Sequence, residues 1–599
     1  MKLVNLIVLI TLILSNSKIF AQEEPKQETD GAKSLMKAAR DGDIETVKQL
    51  IADGIDVNSK TDYGATALSY AAERGHMNVV KHLIENGADP NVMDSFYKAS
   101  PYTWALLSGH NDVAKFIKEN GGKPSFDMGS GISSKKNSEV PVTVEFKPSS
   151  TESKMADRNV SSVNWPQFRG TGARGVADRQ SPPVRWDVPA NENVLWKTSV
   201  PGLGHSCPVV WQDRVFLTTA ISGKEPGDIK IGNYGDVDSV EDDSVHKFQV
   251  LCLNKANGNI VWTQTANEAV PKVKRHLKST HANPTVATDG QNVVAFFGSE
   301  GLYCYDIDGN LLWEQQLGFL DSGWFYDDDY QWGFAASPVI HQNKVIVQCD
   351  IQKDSFIAAF DLGSGSEIWR TERDEIPGWS TPTIHQHDGR AIIITNGTRG
   401  IRGYDASNGQ EIWKLTGNSE IVAPTPFVAH DLMYITSGYR PIKPIYAISA
   451  EARGDLTLAD GETANEFVRW SIKKNGPYMA TPIVYGDYLY SLENSGVLTC
   501  YQATTGLQAY RLRVKLDKEK FPNAATSSNS FVASPIAGDG HLYFPAENGN
   551  VFVVKAGPEY ELVSVNPIGE NVLSSPAISE GIMFVRGQHH LIAVSSLEQ

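Results

Sequence analysis

One short element returns eight times along this chain: a small or hydroxyl residue, a proline, then a brief apolar run. It reads Cys207-Pro208-Val209-Val210, Asn283-Pro284-Thr285-Val286, Ser337-Pro338-Val339-Ile340 and Thr381-Pro382-Thr383-Ile384. It continues as Thr425-Pro426-Phe427-Val428, Thr481-Pro482-Ile483-Val484, Ser534-Pro535-Ile536-Ala537 and Ser575-Pro576-Ala577-Ile578. The intervals run from 41 to 76 residues, two successive ones being 44. Most rungs lead through a turn to a second strand such as Val345-Ile346-Val347. A third strand often ends in aspartate, as in Leu302-Tyr303-Cys304-Tyr305-Asp306, and a glycine turn leads to a fourth with tryptophan, as in Glu411-Ile412-Trp413. Four short strands per unit, at roughly 40–50 residues, predict the blades of a β-propeller.

Proline cannot donate to a strand ladder, so it belongs at strand starts and edges. The innermost strand of a blade has one unpaired edge along the central channel, where proline also discourages wrong pairing. Trp262, Trp313, Trp369, Trp413 and Trp470 hold equivalent places on fourth strands. Flat side chains there can fill the wedge between neighbouring blades.

A chain of 599 residues predicts several domains. Its net charge of −16 lacks the basic face of a general nucleic-acid binder. Lys2 and the apolar run Leu3 to Leu14, followed by Ile19-Phe20-Ala21, read as a secretory leader cut after Ala21, so residues 1–21 are excluded from the fold. The run is too short for a comfortable membrane span, and no transmembrane segment is expected. Five dispersed cysteines, Cys207, Cys252, Cys304, Cys349 and Cys500, form no disulfide framework and read as small buried hydrophobes.

A second period occupies residues 31–123. Arg40-Asp41-Gly42-Asp43, Arg74-Gly75-His76-Met77 and Ser108-Gly109-His110-Asn111 stand 33 to 34 residues apart. Gly54, Gly87 and Gly121 follow helices at places that need a left-handed cap. The middle unit, Tyr63-Gly64-Ala65-Thr66-Ala67-Leu68 through Gly87-Ala88-Asp89-Pro90-Asn91, closely resembles an ankyrin repeat, and the outer two fit as end caps. The resemblance implies a protein-docking arm. Residues 124–160, rich in Ser, Lys, Glu and Pro, read as a flexible linker containing one apolar alternation, Val140 to Phe146.

From Asn164-Trp165-Pro166-Gln167-Phe168-Arg169-Gly170 onward, a third signal joins the rungs. This entry segment, the rungs, and the turns Asp361 to Trp369 and Asp405 to Trp413 resemble the pyrroloquinoline-quinone-like propeller family. That family includes the outer-membrane assembly-factor propellers and the quinoprotein alcohol dehydrogenases. The fold class expected is multidomain: an all-α ankyrin solenoid, then an all-β eight-bladed propeller over 161–599, with N- and C-terminal strand closure. The last blade has three candidate strands, and Val194-Leu195-Trp196-Lys197 upstream of the first rung is the spare fourth.

Quinoprotein dehydrogenases of the resembling family use adjacent cysteines, calcium and an acidic base. This chain has no adjacent cysteines and no Cys-x-x-Cys-His. No catalytic or metal-binding residue is assigned and no cofactor is expected; PQQ and calcium belong only to an alternative reading as a quinone-dependent dehydrogenase of an alcohol or sugar. In a meander the start of strand one and the second-to-third turn share a face. Counting three residues back from the prolines gives His205, His281 and Trp379, and the turns bring Glu300, Arg399, Arg440, Glu493 and Glu547 to that face. Together they form a candidate ligand-binding ring at the channel mouth. Two insertions stand out: an acidic loop, Gly227 to His246, read as solvated, and an aromatic one, Phe319 to Trp332, read equally as packing or as a ligand surface. The function expected is an exported, periplasmic or secreted, non-catalytic scaffold. It would bind protein partners through the ankyrin arm and the propeller face.

Overall fold

The computed structural model describes residues 30–61, 63–95, 98–125, 163–224, 229–232, 239–326, 330–439 and 442–596. The leader, most of the linker and Arg440 lie outside the described residues. The chain divides into two compact units, 1–153 and 154–599.

In the first unit six helices stack in pairs: α1 (Asp30–Asp41), α2 (Ile44–Ala52), α3 (Ala67–Arg74), α4 (Met77–Glu85), α5 (Pro101–Leu107) and α6 (Asn111–Glu119). Their apolar stripes meet in one core that includes Leu35, Val47, Leu68, Val79, Leu83, Val113 and Ile117. The start of α3 carries a capping box between Thr66 and Ser69. Asparagines tie each repeat to the next. Asn58 donates to the Gly87 carbonyl (3.0 Å) and accepts from the Asp89 N–H (2.8 Å). Asn91 does the same with Gly121 (3.1 Å) and Lys123 (3.0 Å).

The second unit is eight antiparallel sheets, each built on four strands, in an eight-bladed propeller. Blade 1 spans Val209 to Ala269, blade 2 Ala287 to Gln315, blade 3 Val339 to Glu372 and blade 4 Thr383 to Leu415. Blade 5 spans Phe427 to Ile472, blade 6 Ile483 to Arg513 and blade 7 Ile536 to Pro567. Blade 8 takes three strands from Ala577 to Val594. Its fourth is Val194–Ser199, antiparallel to His590–Val594 with Trp196 opposite Ala593.

In blades 8, 1, 2 and 5 an outer-strand tryptophan locks the blade to its successor, whereas Trp369 of blade 3 packs on Gly409 with its Nε1 unpaired. Trp196 donates to the Lys255 carbonyl (2.9 Å), Trp262 to Ile307 (3.2 Å), Trp313 to Leu362 (2.8 Å) and Trp470 to Ala503 (2.9 Å). Each acceptor sits in the third-to-fourth turn of the following blade, where a glycine clears space for the indole. At Gly258, φ is 72° and an added Cβ would lie 2.5 Å from the Trp196 ring. Blade 5 lacks this tight turn, because residues 450–467 leave the blade and pair Gly454–Asp455 with the outer strand of blade 4. Trp413 is buried there with its Nε1 unpaired.

All five cysteines are buried and free. Among the described residues, no helix is long and apolar enough to cross a membrane.

Candidate functional site

The proline rungs place one residue per blade on the channel wall, two positions before the first strand begins: Cys207, Thr285, Ser337, Thr381, Thr425, Thr481, Ser534 and Ser575. In seven of the eight the backbone N–H donates to the side chain of the next. The bonds run Cys207 to Thr285 (2.9 Å), Thr285 to Ser337 (2.9 Å), Ser337 to Thr381 (3.0 Å) and Thr425 to Thr481 (2.9 Å). They continue Thr481 to Ser534 (2.9 Å), Ser534 to Ser575 (2.8 Å), and Ser575 to the Cys207 sulfur (3.2 Å). Between Thr381 and Thr425 the link is instead Ser380 Oγ to the Pro424 carbonyl (3.0 Å).

One end of this ring is closed by the entry segment. Trp165 exchanges backbone hydrogen bonds with Val210 of blade 1, the Pro166 carbonyl accepts from Thr288 of blade 2, and Val176–Ala177 pairs with blade 7. Arg169 is fully buried and gives hydrogen bonds to the carbonyls of Ala173, Arg174, Thr481, Pro482 and Pro535, at 2.9–3.3 Å. Its neighbour Phe168 reaches the cavity, which has a volume of about 340 Å³.

The next tier of wall, two residues before each ring position, is His205, Asn283, Ala335, Trp379, Ala423, Met479, Val532 and Leu573. His205 and Trp379 are therefore where the sequence put them. His281 is not. In blade 2 the proline precedes the ring residue instead of following it, so the count from proline slips by two and the wall residue is Asn283. His281 packs edge-on against His246, with centroids 5.1 Å apart, in a separate buried pocket holding Asp242, Arg275 and Ser222. The hydroxyls of Ser222 (2.7 Å) and Ser244 (2.6 Å) and the Ser244 N–H (3.0 Å) donate to Asp242, and His246 Nε2 lies 3.5 Å away. Burial opposes the charge on Asp242, but hydrogen bonds from Ser244 and Ser222 outweigh it and hold the pKa at about 2. The acidic loop is thus not wholly solvated: Asp242 is an internal strut.

Of the remaining ring predicted at the mouth, Glu547 is central. It is 1% exposed, pairs with Lys278 of the loop entering blade 2, and accepts from the Gly232 N–H at 2.6 Å. Lys278 also donates to the Gly232 carbonyl (2.6 Å). One ion pair thus links blades 7 and 2 and the blade 1 loop. Glu547 itself is behind the cavity wall, reached only through Lys278 and Gly232, and Glu300, Arg399 and Glu493 are not on the wall either. Glu300 is buried against the Lys272 N–H (2.7 Å), and burial raises its pKa. Arg399 pairs with Asp374, and Glu493 accepts from Lys443 (3.1 Å) and Arg511 (3.0 Å). Their turns reach the right face, but local partners hold the side chains aside.

The wall also contains His276, Ser279, Trp332 and Tyr478, from loops that no repeat pattern marks, and Tyr439 and Asn494, the immediate neighbours of Arg440 and Glu493 on the marked turns. Trp332 and Trp379 lie 5.8 Å apart at 33°, and Trp379 donates to the Gly333 carbonyl (2.7 Å). The rest of the aromatic insertion is packing: Trp324, Phe325, Tyr326 and Tyr330 are buried, with Trp324 stacked on Tyr326 at 5.2 Å. His205 donates through Nε2 to the Lys278 carbonyl (2.6 Å), and His276 Nδ1 accepts from the Lys278 N–H (3.0 Å). Burial, aided by nearby cations, pushes both imidazoles down to about 4, so both are neutral at pH 7.

No carboxylate is among the lining residues. Among the described residues no group of three His, Cys, Asp or Glu side chains can hold a metal ion.

Comparison with known proteins gives matches for both units. The family described as ankyrin repeats (3 copies) matches residues 9–94 and 35–127. The family described as outer membrane protein assembly factor BamB matches residues 184–348 and 353–598. No curated protein matches the chain. Among solved structures, the crystal structure of BamB from Moraxella catarrhalis aligns at 13% identity, over 67% of this chain and 99% of that one, with a TM-score of 0.43.

Proposed function

The chain belongs to the family of the outer membrane protein assembly factor BamB, and from that premise we propose that it is an exported, non-catalytic scaffold of the cell envelope. Its ankyrin repeats and BamB-like propeller are protein-interaction folds. The finer claims are that the leader directs export, that the mature protein is periplasmic or secreted, and that the ankyrin repeats of 31–123 and the propeller face of 161–599, joined by the flexible linker 124–160, bind protein partners. The observation that carries the scaffold reading is the chemistry of the cavity wall. Its two histidines are neutral and bonded to a loop backbone, its lysine is neutralised by Glu547, and its hydroxyls are engaged as acceptors along the ring. No nucleophile there has a base beside it.

The test is affinity capture with the full chain from an envelope extract, together with cell fractionation. Reproducible capture of defined partners, from an envelope fraction, is the result expected. Turnover in a dye-linked alcohol or sugar oxidation assay, after adding PQQ and calcium, would replace the scaffold reading with the dehydrogenase one.

A further inference from the structure

Three features of the blind end of the cavity point to one ligand chemistry. The first is the ring of hydroxyls. Those of Thr285, Ser337, Thr381, Thr481, Ser534 and Ser575 each accept a backbone N–H from the preceding blade. A hydroxyl that accepts still has a proton to give. The hydroxyls of Thr285 and Ser575 face the Cys207 sulfur; among the described residues those of Ser337, Thr381, Thr481 and Ser534 donate to no protein group, and all six line the cavity.

The second feature is a pair of buried cations. Arg169 spends its guanidinium on five carbonyls, three of them at or next to the ring positions of blades 6 and 7: Thr481, Pro482 and Pro535. Arg586, also fully buried, donates to the carbonyls of Ser206 (3.3 Å) and Thr218 (2.5 Å), directly behind ring residue Cys207. Neither has a carboxylate within ion-pair distance among the described residues. Carbonyl dipoles solvate these charges without cancelling them, so the wall between blades 6 and 1 is electropositive. The third feature is the lining itself. It holds no acid, and the tier above that arc is apolar: Met479, Val532 and Leu573, with Trp379 on the opposite wall.

We infer that this cavity binds a free small organic monocarboxylate with an apolar body. Its carboxylate sits on the hydroxyls of Thr481 and Ser534 and on that of Ser575, which turns to it from the Cys207 sulfur, and its body lies between Met479, Val532, Leu573 and Trp379. A phosphate group is disfavoured, because it draws on guanidinium N–H groups presented in a fork: those of Arg169 are all committed to carbonyls, and Arg586, buried behind Cys207, does not line the cavity. A neutral sugar would use the hydroxyls but gain nothing from the two buried charges. The volume of about 340 Å³ admits a body of one ring or a short alkyl chain. This inference stands apart from the scaffold reading, since a scaffold and an enzyme could each carry such a site.

The experiment titrates the purified full chain with benzoate and hexanoate, with their uncharged partners benzamide and hexanamide, and with glucose. Calorimetry and tryptophan fluorescence supply the readout, Trp332 and Trp379 reporting from the wall. Saturable binding of at least one carboxylate is expected, about tenfold or more tighter than its amide, the factor a charge-assisted hydrogen bond carries. Ser534→Ala with Ser575→Ala should weaken that binding by about tenfold or more, with an unchanged circular dichroism spectrum. Should that pair disturb folding, Val532→Trp fills the body subsite and should abolish binding alone. Equal affinity for acid and amide, tighter binding of glucose, no saturation by about 10 mM of any carboxylate, or a Val532→Trp protein that binds as the parent does would each overturn the inference.

Discussion

The substitution Trp196→Ala tests how the ring is held shut. Trp196 lies on the strand that pairs the start of the propeller with its end, 8% exposed. Its indole rests on Gly258 and faces Phe584 at 5.9 Å, and its Nε1 donates to the Lys255 carbonyl at 2.9 Å. Removing the indole loses about 3–5 kcal/mol as a large core truncation. The orphaned Lys255 carbonyl adds about 1 kcal/mol. An exposed tryptophan at the same place would matter by no more than about 0.5 kcal/mol. At about 2 cal/mol/K per residue, a propeller of this size loses about 1 °C of Tm per kcal/mol, so a fall of about 4–6 °C is expected in its transition. Differential scanning calorimetry on the full chain can separate that transition from the ankyrin unit's. Gly258→Ala attacks the same joint from the other side. It forces alanine to φ 72° and drives its Cβ to 2.5 Å from the indole, at about 2–4 kcal/mol. If both variants melt with the parent, the tryptophan lock does not hold the blades and the reasoning fails.

Other expectations follow from single buried groups. His205 and His276 titrate at about 4 and His281 at about 3 in the fold because burial disfavours their charged forms. These values lie below the unfolded 6.5, so the unfolded chain binds more protons as pH falls below about 6.5 and stability drops until about pH 4. Melts at pH 7.5 and pH 5 should differ by about 1–2 kcal/mol per histidine, and a level Tm would disprove the neutral assignments. Arg373 is buried on Asp350 (2.6 Å) and also donates to Tyr404 Oη (2.7 Å) and Thr395 Oγ1 (2.9 Å). Arg373→Met leaves Asp350 unpaired and should cost about 3–5 kcal/mol, whereas a cost under about 1 kcal/mol in urea melts would show that water reaches the site. The ankyrin unit has its own core, so residues 30–125 expressed alone should give a helical spectrum and a cooperative melt. A featureless spectrum would show that it needs the rest of the chain.

Much of the architecture was legible because it repeats. The glycines after the ankyrin helices, Gly54, Gly87 and Gly121, adopt φ values of 89–92°, which only their position in a repeat could have suggested. The tryptophan turns were readable for the same reason. The site was less legible because it is built between repeats. Lys278 and Glu547 are 269 residues apart, and Arg169 reaches carbonyls more than 300 residues on. Trp332 and Tyr478 enter from loops with no periodic partner, and Tyr439 and Asn494 are one residue away from the turn residues that the pattern picks out, Arg440 and Glu493. Glu300, Arg399 and Glu493 were placed on the right turns, yet a turn's position does not fix where its side chain points when Lys272, Asp374 or Arg511 stands nearer than the channel.

The error at His281 has a specific physical origin. In each rung the demand falls on the ring residue, not on the proline. That residue's N–H must donate to the next blade, as those of Cys207, Thr285 and Ser337 do. Proline has no N–H, so it is barred from the ring position itself and tolerated on either side of it. In seven blades it follows the ring residue, and in blade 2 Pro284 precedes Thr285. Counting from the proline therefore gives the wrong side chain wherever the proline changes sides. Counting from the hydroxyl gives Asn283 and a polar wall continuous with His205. The hydroxyl, whose oxygen receives the neighbouring blade, sets the register; the proline only marks an edge that needs no donor.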